Sequence, residues 1–263
     1  MPRNLDLPLI GMVAAALVVA LVVALVSTPV VKNLAIKVKA VDVPKVGRRM
    51  HDHPIPRMGG LAIFLGFLLS VLLFLELNPQ MRGMLLGAVI IVVLGIFDDI
   101  YSLRAMFKFV VQIVAALVAV LSGNVIEAVS NPNVFSADLY WELGWLKIPV
   151  TIIWIVAITN AVNLIDGLDG LACGVSTISS MTLLVIALVA SEPNVAILMA
   201  ALAGGCLGFL PYNMNPAKIF MGDTGSTFLG YILAVVSIQG LFKFYTIISF
   251  AVPFLMLGLP IFD

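Results

Sequence analysis

The stretch LPLIGMVAAALVVALVVALVSTPVV, residues 7–31, decides the fold class because it contains no charged residue. A helix needs about 20 apolar residues to cross the hydrocarbon core of a bilayer. The stretch exceeds the apolar core of a signal peptide, about 7–15 residues, and no Ala-x-Ala cleavage site follows it. We therefore interpret it as a retained first membrane span.

The overall composition also indicates a membrane protein. The 263 residues are 62% hydrophobic and 11% charged, with a mean hydropathy of +1.17, whereas soluble domains carry about 25% charged residues. The formal net charge is zero, so charge does not indicate a nucleic-acid partner. Cys173 and Cys206 lie in apolar runs and are interpreted as packing residues. His51 and His53 are too few for a His-rich metal centre.

Charge-poor windows predict an all-α polytopic membrane protein with about nine transmembrane helices in a single domain, residues 1–263. The predicted spans are 8–31, 59–77, 83–97, 106–122, 148–165, 171–190, 195–212, 225–242 and 246–262. The longer connector 123–147 contains Tyr140, Trp141 and Trp145, which is typical of an excursion at the membrane interface.

The distribution of Lys and Arg predicts the orientation. With the N-terminus outside, ten of the fourteen cationic residues fall on the inner side and four on the outer side. Positive residues are enriched in cytoplasmic loops, so this topology is favoured.

Acidic residues gather on the same inner side. Short carboxylates at the helix ends of four different connections are suited to a hard divalent cation. Without a ligand they would repel one another at the membrane surface. The residues concerned are Asp98, Asp99, Asp166, Asp169, Asp223 and Asp263.

The first motif is GIFDDIYSLR, residues 95–104. On a helix, Asp98 and Asp99 point about 100° apart, so one can face a metal while the other faces a substrate. A solvated helix end is the alternative interpretation. Lys108 could neutralise a phosphate or extend to the membrane interface.

The second motif is TNAVNLIDGLDGLA, residues 159–172. Asn160, Asn163 and Asp166 recur along one side of a helix, and polar groups at that depth need partners. Two following glycines end the helix, so Asp169 can turn back toward the same site. Hydrogen bonding between helices is the structural alternative.

The third motif is PYNMNPAKIFMGDTGSTFLG, residues 211–230. Asp223 lies in a glycine-flanked loop, where Thr224 or Ser226 could cap the next helix. Phe220, which its loop position predicts to be exposed, could stack on a base or anchor the chain at the interface.

Helix N-termini complete the expected site. Spans two, four, six and eight begin at the inner face, and helix N-termini bind phosphates. The first inner loop, VDVPKVGRRMHDHPIPRMGGLAIF, offers Lys45, Arg49 and Arg57 as the best candidates for a lipid phosphate. Acids, cations and a divalent metal together favour phosphoryl transfer. The alternative from another class is an ion-coupled transporter, but its carboxylates would lie near the midplane within repeats, and no repeat is visible.

These motifs, in this order, resemble the polyprenyl-phosphate N-acetylhexosamine-1-phosphate transferase family. The matched segments are 42–64, 95–112, 160–172 and 211–230, together with the closing GLPIFD. The resemblance implies that undecaprenyl phosphate attacks the sugar-linked phosphate of a UDP-N-acetylhexosamine and releases UMP. It also implies Mg²⁺ as cofactor, with Mn²⁺ as a substitute, and the bacterial inner membrane as location. A homodimer is compatible with it.

The resemblance also assigns site residues. Asp98 would orient or deprotonate the lipid phosphate, and Asp99 would be its metal-site or catalytic partner. Asp223, with Asn163, would hold Mg²⁺. Lys108 would contact phosphate. The remaining assignments are Asp166 and Asp263 as further catalytic acids and Gly167, Leu168, Asp169 and Phe220 as the uracil pocket.

Two details refine the expectation. The segments PRMGG and PIFD look more like the branch that transfers GlcNAc-1-phosphate than the phospho-MurNAc-pentapeptide branch, which remains the alternative. Family members continue beyond this point with a His-rich loop and one or two more spans. We therefore expect ten or eleven spans in the complete protein.

Overall fold

The computed structural model describes residues 7–43, 54–130 and 140–241, and eight helices form most of it. Eight predicted spans agree with these helices within a few residues at each end, except that α1 extends six residues further. The ninth predicted span, 246–262, lies outside the described residues. The helices are α1 Leu7–Lys37, α2 Gly60–Phe74, α3 Pro79–Tyr101, α4 Ala105–Leu121, α5 Lys147–Ile165, α6 Leu171–Val189, α7 Pro193–Asn213 and α8 Gly222–Leu241.

Within the described residues, five helical segments are long and apolar enough to cross a membrane, judged by length and composition. Helices α2 and α4 are apolar but shorter, at 15 and 17 residues. The chain is therefore a multi-pass membrane protein. The five segments are Leu7–Lys37, Pro79–Tyr101, Gly144–Ile165, Leu171–Val189 and Pro193–Asn213.

Two short antiparallel strand pairs accompany the helices and were not predicted. Strand β1, Val41–Asp42, pairs with β2, Ile55–Pro56, while β3, Ala128–Ser130, pairs with β4, Tyr140–Glu142. Strands of two or three residues are too short to produce a hydropathy period, so only the loops that contain them were visible in the sequence.

Close helix packing through small residues forms the centre of the bundle. Ala16, Ala20 and Ala24 of α1 are fully buried. A Cβ atom on Gly204 or Gly208 of α7 would overlap backbone carbonyls of α1. Small residues let helix backbones approach closely where apolar side chains gain nothing over lipid.

A tight turn brings the polar ends of the helices together. Ser102 adopts a left-handed conformation with φ of 52° and ends α3, so that α4 begins at Ala105 in the reverse direction. The C-termini of α3 and α5 and the N-termini of α4 and α8 then meet at one end of the bundle.

Candidate active site

Asp99 joins the C-terminal end of α3 to the beginning of α8. One carboxylate oxygen accepts a hydrogen bond from the Asp223 amide at 3.0 Å. The other accepts from the Thr224 amide at 3.1 Å and from the Thr224 hydroxyl at 2.6 Å. A carboxylate at a helix N-terminus is stabilised by the free amides and by the helix dipole. Asp99 therefore caps α8, which corrects the expectation that Thr224 or Ser226 would be the cap.

Glycine makes this contact between α3 and α8 sterically feasible. A Cβ atom on Gly95 would overlap the backbone of Thr224, and one on Gly222 would overlap the Asp99 carboxylate. Gly222 also has a φ of 72°, which favours glycine. The glycines of GIFDD and MGDTG are thus required for the approach of the two acidic motifs.

Lys108 bridges two carboxylates from different motifs. Its Nζ atom lies 2.9 Å from Asp98 and 2.8 Å from Asp223. The second oxygen of Asp98 accepts from the Leu103 amide at 2.7 Å. The ammonium therefore occupies a cation position between acids that lie 125 residues apart in the chain.

Helix α5 contributes Asn163 and Asp166. The Asn163 amide donates to the Ser226 hydroxyl at 2.8 Å, and its side chain also interacts with Asp223. Asp166 follows the last residue of α5 and forms neither a hydrogen bond nor an ion pair through its carboxylate within the described residues. Burial, and then the charges of Asp223 and Asp99, raises the pKa of Asp166 to about 7.

The loop before α2 lies against the beginning of α8. Phe220 donates its amide to Pro56 at 2.8 Å, and Gly59 and Gly60 donate theirs to Phe220 and Met221 at 2.9 Å each. Arg57 extends from this loop to within 3.5 Å of Asp99. Its guanidinium also lies 4.0 Å from the carboxylate of Asp223, which Lys108 contacts as well.

The four residues predicted to form a uracil pocket do not share one environment. Gly167 and Leu168 are exposed, with open space beside Gly167. Asp169 accepts hydrogen bonds from the Asn215 side chain at 3.2 Å and the Ala217 amide at 3.0 Å. Phe220 is half-buried, which corrects the expectation that it is exposed. Their predicted role in base binding stays a prediction.

Other parts of the expectation need correction or lie outside the described residues. The first amides of α2 and the Asp223 and Thr224 amides of α8 are bonded within the protein, so these groups are not open to a phosphate. Lys45, Arg49 and Asp263 lie outside the described residues.

Sequence reasoning missed Ser226 as the partner of Asn163 and Gln112 as the partner of Asn160. The signal for the second pair was present, because Gln112 is a polar residue within an apolar span and one helical turn from Lys108.

The donor set favours a metal site that substrate completes. Among the residues described, no three Asp, Glu, His or Cys side chains are placed to hold a metal ion. The oxygens of Asp99 are bonded to α8, which differs from the predicted metal contact. Asp98 and Asp223, however, already hold a cation between them in the form of the Lys108 ammonium. Mg²⁺ is commonly bound by one or two carboxylates together with water and phosphates, so a site on Asp223 that substrate phosphates complete fits it, with Lys108 remaining beside Asp98.

The family comparison decides the class of protein. Residues 81–241 match the model of glycosyl transferase family 4, and this segment contains Asp98, Lys108, Asp166 and Asp223. The chain belongs to glycosyl transferase family 4. The family predicted from the motifs is confirmed.

Several bacterial relatives within this family are named by activity. The chain is 47% identical over 252 residues to a probable undecaprenyl-phosphate N-acetylglucosaminyl 1-phosphate transferase of Bacillus subtilis, covering 95% of the chain and 69% of the relative. It is 36% identical to a decaprenyl-phosphate N-acetylglucosaminephosphotransferase of Mycobacterium leprae, covering 88% of the chain and 61% of the relative. A phospho-N-acetylmuramoyl-pentapeptide-transferase of Caldicellulosiruptor bescii is 35% identical, covering 86% of the chain and 72% of the relative. The chain thus spans about two thirds of the length of these relatives.

Proposed function

We propose that the protein transfers N-acetylglucosamine-1-phosphate from UDP-GlcNAc to undecaprenyl phosphate. The products are undecaprenyl-pyrophosphoryl-GlcNAc and UMP, and the reaction is the first membrane step in making a cell-envelope polysaccharide. One observation carries the proposal, namely that Lys108 links Asp98 to Asp223 at the polar end of a membrane bundle. The Bacillus subtilis relative supports the choice of sugar donor and lipid acceptor.

The reaction is a single displacement in overall balance. An oxygen of the lipid phosphate forms a bond to the sugar-linked phosphorus. The bond from that phosphorus to the oxygen shared with the uridine-linked phosphate breaks, and UMP leaves with that oxygen. Such chemistry depends on positioning and on compensating negative charge rather than on a strong acid or base.

The cations of the site are suited to this task. Lys108 and Arg57 approach different carboxylate oxygens of Asp223, at 2.8 Å and 4.0 Å, so a diphosphate bound there would meet an ammonium and a guanidinium. Both side chains are partly exposed, at 27% and 32%, so phosphate oxygens can reach them. Asp98 holds Lys108 in place and, in the proposed reaction, orients the lipid phosphate.

Asp223 would hold Mg²⁺, with the Asn163 side-chain oxygen as a further donor, while Asp98 keeps Lys108 in place. When bound, Mg²⁺ supplies charge neutralisation at the diphosphate. In this proposal Asp99 acts indirectly and not as a metal ligand. Its oxygens hold the α8 N-terminus, and Asp223 lies there.

The uridine of the donor would bind beside the exposed Gly167–Leu168 loop. In this proposal, Asp169 of the same loop and Phe220, two residues before α8, would complete the base-binding region. The site would face the cytoplasm, with the N-terminus outside, because the excess of Lys and Arg lies at this end of the bundle.

The deciding experiment is a transfer assay on the purified protein in detergent. With undecaprenyl phosphate, Mg²⁺ and radiolabelled UDP-GlcNAc, we expect a lipid-linked pyrophosphoryl sugar and an equal amount of UMP. Asp98→Asn and Asp223→Asn should each lower kcat by about 100-fold or more, by analogy with loss of a charged group that acts on the transition state. The matched control is Glu76→Gln, at the opposite end of the bundle.

The Caldicellulosiruptor relative makes the phospho-MurNAc-pentapeptide donor the second candidate. The same assay with UDP-MurNAc-pentapeptide separates the two, since we expect a much higher kcat/KM for UDP-GlcNAc. Turnover of the pentapeptide donor alone would contradict the sugar assignment. Absence of product with every UDP-N-acetylhexosamine would contradict the function.

A further inference from the structure

Helices α4 and α5 share a reciprocal pair of amide side chains. The Asn160 amide donates to the Gln112 side-chain oxygen at 2.7 Å, and the Gln112 amide donates to the Asn160 oxygen at 3.4 Å. Asn160 donates its other hydrogen to the Val156 carbonyl at 2.8 Å, so both of its N–H groups are bonded. Gln112 is buried, with 3% of its surface exposed.

The pair lies one helical turn from the charged site. Gln112 follows Lys108 by four residues, about 6 Å along α4, and Asn160 precedes Asn163 by three residues, about 4.5 Å along α5. Residues spaced by three or four share one face of a helix. Lys108 and Asn163 both contact Asp223, so the amide pair joins the two helices directly behind the residues that flank this carboxylate.

This arrangement makes the pair a geometric constraint on the site. Lys108 and Asn163 stand on different helices, and their separation decides whether both reach Asp223. Apolar contacts alone let α4 slide along α5 and rotate about its own axis. The two hydrogen bonds between the amide side chains fix both the height of α4 relative to α5 and its rotation. Gln112 is too buried to meet a substrate at the exposed end, so direct substrate contact does not explain it.

We propose that Gln112 and Asn160 are positioning residues that hold Lys108 and Asn163 at the separation which the transfer of the sugar phosphate requires. The inference rests on the proposed function. Loss of a bond that served only to hold the helices together would lower the melting temperature and leave kcat unchanged.

A swap of side-chain lengths tests this inference. Gln112→Asn shortens one partner and Asn160→Gln lengthens the other, while the double swap restores the total length of the pair. We expect each single variant to lower kcat by about tenfold or more, since a misplacement of 1 Å can cost about 100-fold. KM for UDP-GlcNAc should change by less than about twofold, and the double swap should recover kcat to within about threefold of the original protein.

The matched control is another hydrogen bond between membrane helices. Trp154 of α5 donates to Ser237 of α8 at 3.1 Å, and Ser237→Ala removes that bond away from the charged site. We expect it to change the melting temperature as much as the single swaps do, without lowering kcat.

The outcomes separate the inference from the function. Single variants with the original kcat, or a double swap no better than the singles, would overturn the positioning role. If the single variants cannot be purified, kcat of the double swap decides alone, because near-original turnover supports the role and its loss contradicts it. If the unmutated protein itself shows no turnover, that result would instead contradict the proposed function.

Discussion

Lys108 lies between two carboxylates that would repel each other without it. Its Nζ atom is within 3 Å of both Asp98 and Asp223, and the two carboxylates are largely shielded from water while Lys108 is partly exposed. Removing one member of such a network leaves a partly buried charge without its partner, which costs more than the pair contributes. The site therefore depends on the cation whether or not substrate is bound.

Replacement of Lys108 by methionine should test this dependence. Methionine keeps the apolar volume but removes the charge that would meet the diphosphate. We expect kcat for UDP-GlcNAc to fall by about 100-fold or more, measured under saturating donor. Lys147→Met, at the beginning of α5 and the other end of the bundle, is the control and should retain turnover. Near-original turnover by the Lys108 variant would contradict the assignment.

Replacement of the adjacent acids Asp98 and Asp99 by asparagine should affect different properties, namely turnover for Asp98 and stability for Asp99. Asp99→Asn replaces one acceptor oxygen by a donor that faces amides of α8, and should lower stability by about 1–2 kcal/mol. Asp98→Asn should lower kcat with a smaller change in stability. The measurement is the melting temperature of each variant in detergent, set beside its turnover. Equal melting temperatures for the two variants would contradict the capping role of Asp99.

Asp166 should make stability depend on pH. Because its pKa is raised to about 7 from 3.8, the folded protein keeps a proton on Asp166 that the unfolded chain has lost. Between these pH values the folded state binds more protons, so stability falls as pH rises. Asp166→Asn removes this effect. We expect the melting temperature of the variant to exceed that of the original protein by more at pH 8 than at pH 5, in the presence of a chelator. A difference in melting temperature between the two proteins that does not change with pH would contradict the raised pKa of Asp166.

At the scale of the elements, the crossing of α2 and α8 holds the acidic loop in place. Three backbone hydrogen bonds join residues 56–60 to residues 220–221. A Cβ atom on Gly60 would overlap the backbone of Gly225, and rigid backbone cannot move aside as a flexible side chain can. The two glycines therefore set how closely the first loop approaches Asp223.

Substitution of Gly60 by alanine should accordingly be severe. We expect a loss of several degrees in melting temperature or failure to recover folded protein, because either helix must shift. Gly174→Ala is the matched control. It lies in α6 with open space around it, so alanine should be neutral or stabilising through its better helix propensity. Equal stability of both variants would show that the crossing is not tight.

The sequence was informative about elements and less so about their contacts. Hydropathy located eight helices because apolar spans are long and their ends carry charge. It also placed Asp98, Asp166 and Asp223 at helix ends on one side. The cap that Asp99 provides could not be predicted, since it depends on how closely α3 approaches α8. The bonds of Asp169 depend on the path of the 215–217 loop for the same reason.

At the scale of the whole molecule, the bundle separates its two ends by chemistry. One end contains Asp98, Lys108, Asp166 and Asp223, while the other presents the exposed aromatic residue Trp145. A single polar centre requires that connections distant in sequence emerge on the same side of the bilayer. The proposed reaction depends on this requirement, because a diphosphate cannot bind between groups on opposite membrane faces.

Cysteine labelling in sealed membrane vesicles of known orientation shows on which side of the bilayer each connection emerges. Single cysteines are introduced at Ala105, Leu168 or Met214, which are exposed residues of three different connections at the polar end. A fourth cysteine replaces Trp145 at the opposite end. The background lacks the two native cysteines, which are buried.

An impermeant maleimide should label the first three positions from the cytoplasmic side alone and position 145 from the outer side alone. We expect this division for every one of the three connections. Labelling of any two of Ala105, Leu168 and Met214 from opposite sides would contradict a common site, and with it the proposed transfer reaction.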